Sequence, residues 1–155
     1  MRRLDRSAAK PALVRYLSAV AVANMVWEAF QLPLYRLWRT ASPAYLVFGA
    51  LHCWLGDLLI SIASLGLGII TTGRSWPSRG YAGVATVAVV LGVAYALFSE
   101  WLNVEVRGSW AYASAMPRVP PFGTGLSPLL QWIVVPLAAF MWARPRSRTG
   151  GGRSR

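Results

Sequence analysis

Residues 44–71 read "AYLVFGALHCWLGDLLISIASLGLGIIT" and contain no lysine or arginine and a single acid, Asp57. About 20 helical residues cross roughly 30 Å of hydrocarbon, and this run is longer than that. Its apolar residues do not alternate, and it far exceeds the roughly ten residues of a membrane β-strand. Backbone polar groups in lipid must be paired within the protein, so a segment of this kind is a helix. The same stretch holds His52, the chain's one histidine, and Cys53, its one cysteine. A histidine and an aspartate are expensive to bury, and their presence here has to be explained.

Three further runs have the same character. With 44–71, the expected spans are 12–32, 81–104 and 126–143, the last written "LSPLLQWIVVPLAAFMWA". The chain of 155 residues is 55% hydrophobic and 14% charged, with a mean hydropathy of +0.44. A soluble domain this small needs more polar surface than that. The expected fold is therefore all-α: a polytopic membrane protein with four transmembrane helices in one bundle over residues 1–143, followed by a disordered basic tail at 144–155. The first span has a basic start and an "AVA" at 21–23, as a signal peptide does. The polar residues just downstream follow the helix's own period, which favours a retained span.

The net charge of +11 invites a nucleic-acid reading. The basic residues flank apolar runs instead of lining one face, so they are read as topology signals, with no nucleic-acid partner. Five sit at the N-terminus (Arg2, Arg3, Arg6, Lys10, Arg15) and five at the C-terminus (Arg144, Arg146, Arg148, Arg153, Arg155). The loops 33–43 and 105–125 carry two each. That asymmetry puts both termini in the cytoplasm and those two loops outside. The expected location is a bacterial inner (plasma) membrane. One cysteine excludes an internal disulfide.

Three of the five acids fall within spans: Glu28, Asp57 and Glu100. Each costs about 2.5–3.5 kcal/mol at mid-membrane on insertion scales. Asn24, Glu28, Gln31 and Tyr35 are spaced i, i+4, i+7, i+11 and share one helical face. Tyr95, Ser99 and Asn103 share another, beside Glu100. Cys53, Asp57, Ser61 and Ser64 form a third, with His52 at its edge. Gln131 is the strongly polar residue of the last span. In an antiparallel bundle with this orientation, all four faces meet in the outer half. An outward-facing polar pocket is the expected result, and the loop 105–125 is either packed at the headgroup level or a lid over the pocket that supplies Trp110 and Tyr112. The bland alternative is that these groups are interhelical glue and interfacial residues. Cys53 reads as a small packing residue rather than a nucleophile.

A carboxyl away from water resists ionisation, and a protonated acid beside a base is equipment for proton transfer. The expected catalytic residues are Glu28, His52, Asp57 and Glu100. The expected substrate-binding residues are Asn24, Gln31, Tyr95, Asn103, Trp110, Tyr112, Gln131 and Trp132. Aromatic faces would favour a carbocation. The expected activity is acid–base isomerisation or cyclisation of a hydrophobic lipid entering from the membrane, with no cofactor. Non-catalytic lipid or metal binding, or an accessory role in a membrane complex, is the alternative, and a homo-oligomer is allowed. His52 with carboxylates is a conceivable zinc, iron or manganese set, but no EXXH or HXXXH spacing is present. An apolar inner half argues against solute or proton passage.

"WEAFQLPLY" (27–35), "GVAYALFSEW" (92–101) and "LLQWIVVP" (129–136) resemble the first-, third- and last-helix segments of the EXPERA group, which includes emopamil-binding sterol isomerases and sigma-2-receptor-like proteins. The resemblance covers about a third of the chain in short pieces. It implies a four-helix membrane core and the isomerisation or binding of a sterol-like lipid, with Glu28 as the first-helix acid and Gln131 and Trp132 lining the pocket. Asn24 stands where the isomerases carry a histidine, and "HCWLGD" (52–57) has no counterpart.

Overall fold

The computed structural model describes residues 2–73 and 75–144, with side chains from residue 8 onward. Four long helices dominate: α1 (Arg2–Gln31), α3 (Pro43–Thr72), α4 (Tyr81–Glu100) and α5 (Leu126–Ala143). A short α2 (Leu37–Thr40) lies between α1 and α3. Within these, Ala8–Leu34, Pro43–Thr72, Tyr81–Val106 and Leu126–Ala143 are each long and apolar enough to cross a membrane. The first and third of these segments outrun the expected 12–32 and 81–104. Residues 145–155, most of the expected disordered tail, lie outside the described residues.

Among the described residues the chain departs from all-α in the loop before α5 and where that loop bridges Tyr35. The loop before α5 holds a two-stranded hairpin, β1 (Arg118–Val119) against β2 (Thr124–Gly125), antiparallel with Arg118 opposite Gly125. Its proline- and glycine-rich sequence, "MPRVPPFGTG", cannot continue a helix, and the hairpin pairs backbone groups that would otherwise be free.

Local sequence sets the helix limits. Ser42 caps α3, its hydroxyl accepting from the Tyr45 N–H at 3.3 Å, and Pro43 follows at the first helical position. The α3–α4 turn closes through Gly80, whose φ is +70° and whose missing Cβ would lie 2.8 Å from the Thr72 carbonyl oxygen. At its far end α4 does not stop. It widens into a π-helical segment, Trp101–Val106, where the Asn103 amide donates back to the Ser99 carbonyl at 2.9 Å. Such segments occur often at functional sites.

The helices run up and down and close into a ring, α1 on α3, α3 on α4, α4 on α5 and α5 on α1. Tyr16 of α1 and Phe140 near the end of α5 pack with tilted rings, their centroids 4.5 Å apart. The Tyr81 hydroxyl donates to the Phe140 carbonyl. The apolar core (Tyr16, Val20, Leu65, Val84, Ala88, Val135, Ala139, Phe140) fills this half of the bundle. Small residues let the backbones close up here, as they must where lipid supplies no hydrophobic drive. A Cβ on Gly68 would meet the Val84 carbonyl oxygen at 3.0 Å, and one on Gly92 would lie 2.2 Å from the Trp132 ring. Outward, the surface is apolar: Phe30 is 80% exposed and Leu59 68%.

Gly92→Leu should therefore lower the detergent-solubilised protein's melting temperature strongly, because overpacking costs about 1–3 kcal/mol or more. Gly49→Ala, where an added Cβ meets nothing within 4 Å, should leave it unchanged within about 0.5 kcal/mol.

Candidate functional site

The antiparallel order brings the end of α1, the start of α3, the end of α4 and the start of α5 to one end of the bundle. Most of the buried polar side chains gather there: Asn24, Glu28, Gln31, Glu100, Thr124 and Gln131. Their bonds run through the Gln131 amide. Its nitrogen approaches Asp57 Oδ2 at 2.8 Å, Glu28 Oε1 at 3.2 Å and Asn24 Oδ1 at 3.2 Å. Its oxygen accepts from Gln31 Nε2 at 3.3 Å, and that nitrogen also donates to Glu28 Oε1 at 2.8 Å. The Ser127 hydroxyl donates to Gln31 Oε1 at 3.1 Å and accepts from Trp27 Nε1 at 3.1 Å. The carboxyls of Glu28 and Asp57 lie within hydrogen-bonding reach of each other.

Glu100 belongs to a second cluster. Its Oε2 accepts from the Tyr112 hydroxyl, which in turn accepts from the Gly125 N–H at 2.9 Å. Burial, followed by the bond to Glu100, holds the Tyr112 phenol above its ordinary range, so it remains a donor at physiological pH. Burial and the charge of Glu100 do the same to Tyr35. Loop 105–125 is stitched to the α1–α3 connection: Arg36 N–H donates to Ala111 O and Ala113 N–H to Leu34 O, both at 2.9 Å, which pairs Tyr35 with Tyr112. The Arg118 guanidinium sits 5.2 Å from the centroid of the Tyr112 ring. The loop is thus a strap anchored at several points.

Beneath the strap lies a cavity of about 540 Å³ between α3 and α4, within the usual size range of small-molecule sites. Glu28, Asp57, Glu100 and Trp132 line it deep in the bundle, and Leu37, Ser109 and Trp110 line it near the strap. Its depth is protected, since Glu28 is 6% and Glu100 7% exposed. Its rim is open and apolar, with Phe48 63% and Phe98 54% exposed. The mouth therefore faces sideways, between helices. Gly49 and Gly56 line the cavity, and a Cβ on either would meet nothing within 4 Å. Basic groups are few among the lining residues: His52 and Arg107.

The structure joins Asn24, Glu28, Gln31, Asp57 and Gln131 in one hydrogen-bonded network, and Glu100 with Tyr112 in another. Tyr95, Asn103, Trp110 and Trp132 line the cavity, Tyr95 packing edge-on against Trp132 with centroids 6.3 Å apart. Tyr112 and Gln131 bond to the acids without lining the cavity, and Asn24 reaches them only through Gln131. His52 joins neither network. It is exposed at the rim and stacked on Phe48, centroids 5.9 Å apart. Five residues separate it from Asp57, about 140° around a helix. Among the described residues no three His, Cys, Asp or Glu side chains are grouped to hold a metal ion. Sequence reasoning missed Ser127, the Gly125 N–H and the two cavity glycines. "GLSP" (125–128) carries no signal for the first two beyond a helix start, but Gly49 and Gly56, seven apart on the face of Cys53, were readable as a stripe of small residues.

Comparison with known proteins finds no matching family model, no matching curated protein and no matching solved structure.

Tyr112→Phe should destabilise the strap by about 1–3 kcal/mol, because it removes the donor to Glu100 and orphans the buried Gly125 N–H. The measurement is limited proteolysis across 105–125, where the variant should be cut faster than the parent with the bundle intact.

Proposed function

We propose that the chain is a multi-pass membrane protein with both termini in the cytoplasm, whose cleft lies in the outer half of the bilayer and performs acid–base isomerisation or cyclisation on an unsaturated hydrophobic lipid. The observation that carries this reading is the cleft itself. Three carboxyls sit at the depth of an apolar cavity that opens sideways, where a lipid would enter without passing through water. The charge asymmetry of the sequence supports the orientation. Glu28 and Trp132 in the cavity wall support the roles that the EXPERA resemblance implies for them, while Gln131 reaches Glu28 from outside the lining.

The chemistry balances within the acid pair. Two carboxyls in contact retain one proton between them, as like charges this close do not both ionise. Asp57 or Glu28 gives that proton to an alkene carbon, the double bond's electron pair forming the new C–H bond. The carboxylate of the pair then takes a proton from the carbon next to the resulting cation, and that C–H electron pair becomes the shifted double bond. The pair ends as it began, with one proton. The aromatic faces of Tyr95 and Trp132 stabilise the cation between the two transfers. Gln131 holds both carboxyls in place and adds no charge of its own.

A second reading has an observation in its favour. Each of the three acids of the cleft is already bonded to an amide or a phenol, as structural glue would require. Turnover in D2O separates the two. The protein in vesicles, given lipid extracts, should place solvent deuterium at carbon in an unsaturated lipid, and Asp57→Asn should reduce the rate at least a hundredfold. If no lipid gains deuterium at carbon and Asp57→Asn changes only the melting temperature, the glue reading holds. Orientation has its own check. With Cys53 replaced by serine, a cysteine placed at Ser114 should react with an impermeant maleimide added outside cells, and one at Ser78 should not.

A further inference from the structure

The headgroup of the lipid can be read from the charge at the strap end of the cleft, an inference that rests on the lipid-cleft reading above. There the π-helical end of α4 stops at "RGS" (107–109). Arg107 N–H donates to Leu102 O at 2.9 Å and Ser109 N–H to Asn103 O at 2.8 Å, while Gly108 between them takes a φ of +61°. Glycine adopts that conformation without a Cβ penalty, and the turn leaves both Arg107 and Ser109 in the cavity wall.

The Arg107 guanidinium is not spent on the cleft acids. Among the described residues, Glu28 and Asp57 bond to Gln31, Gln131 and each other. Glu100 has the hydroxyl of Tyr112, with Tyr35 and Trp110 also within reach. Arg107 is exposed, and its surroundings share its sign. Loops 33–43 and 105–125 hold Arg36, Arg39, Arg107 and Arg118 against one acid, Glu105. Charge of one sign around the mouth of a low-dielectric cleft draws in ligands of the other. The cleft is thus basic at the strap and acidic at its depth. Tyr45 and Asp57 line its two ends on α3, twelve residues and so about 18 Å apart along the helix.

We propose that the lipid carries an anionic headgroup, a phosphate or a carboxylate, bound by the Arg107 guanidinium at the strap while its chain reaches down to the Glu28–Asp57 pair.

A guanidinium presents its donors in a fork that fits either anion, and it offers no acceptor. An alcohol meets one of those donors without the charge, and an ammonium is repelled. An anion does not enter head first, because the carboxyls at the depth oppose it. The two ends therefore orient the lipid in one sense. The carbon that reaches the acid pair then lies far along the chain from the headgroup.

The test is equilibrium binding of oleyl phosphate, oleic acid, oleyl alcohol and oleylamine to the full-length protein in phosphatidylcholine nanodiscs, measured against empty nanodiscs. Mildly alkaline buffer keeps the fatty acid ionised. The better-bound anion should exceed the alcohol and the amine by about tenfold. If it is oleyl phosphate the headgroup is a phosphate, and if it is oleic acid, a carboxylate. Arg107→Gln should weaken that anion by about the same factor and leave the alcohol unchanged, while Arg107→Lys should keep part of the preference. Arg39→Gln alters a loop charge outside the cavity wall and should change little. If neither anion outbinds the alcohol in the unaltered protein, the headgroup assignment is overturned, whether or not any variant folds. An undiminished anion affinity in Arg107→Gln overturns it too. So does an equal loss in Arg107→Gln and Arg39→Gln, because the charge of the whole face then accounts for the preference. Gly56→Leu separates this failure from that of the cleft: if it weakens all probes alike while no anion is preferred, the cleft reading stands and the headgroup assignment falls. If no probe binds, both fall.

Discussion

One planar group, the side-chain amide of Gln131, fixes the rotation of three helices. Its nitrogen meets acceptors from α1 (Asn24, Glu28) and α3 (Asp57), and its oxygen meets a donor from α1 (Gln31). An amide has two N–H groups and one carbonyl, so three acceptors compete for two hydrogens. That crowding is what two carboxyls in an apolar bundle impose, since each needs a donor when water is excluded. A lysine or arginine at this position would meet the acids as well but would turn the site into an ion pair. A leucine would remove the amide donor from Asp57 and leave Glu28 with Gln31 alone. Glutamine satisfies them and keeps the proton between them available for other chemistry.

The two halves of the bundle use glycine for opposite ends. On α3, Gly68 lets α4 come so close that Val84 fills the space a side chain would need. Further toward the start of the same helix, Gly56 and Gly49 face open space. Tight packing in one half holds α3 and α4 together firmly enough that the other half can stay apart. The strap completes the arrangement by tying loop 105–125 to the α1–α3 connection at Tyr35. A cavity kept open this way does not depend on a ligand to hold its walls.

Much of this was legible in the sequence, and the limits of legibility have physical causes. The four long helices follow from run length and composition alone. The face of Asn24, Glu28 and Gln31 follows from the helical period, and its meeting with Asp57 and Gln131 follows from antiparallel order. Tyr112 was readable as a loop aromatic near the acids, but its bond to Glu100 was not. That bond depends on a path through "RGSWAYASAMPRVPPFGTG" (107–125), which has no period to read. His52 shows the opposite failure: sequence proximity to Asp57 suggested partnership, while five residues of helix turn it toward the rim. The π-helical extension of α4 also lacked a sequence signal, though it is what carries Asn103 to the cavity wall.

The three acids are not equivalent, and the difference has consequences for chemistry. Glu28 and Asp57 share one amide donor and touch each other, so a proton on either is available to both. Glu100 is bonded to a phenol that burial keeps protonated, and that phenol is held in turn by the Gly125 backbone. Moving a proton onto Glu100 would weaken the bond that holds the strap, so its charge is tied to the position of the loop. Asp57 carries no such link and is the least buried of the three. In the acid–base chemistry proposed above, the Glu28–Asp57 pair gives and takes the proton while Glu100 keeps its own state. Here the distinction comes from the neighbours: a shared amide in one case, an anchored tyrosine in the other.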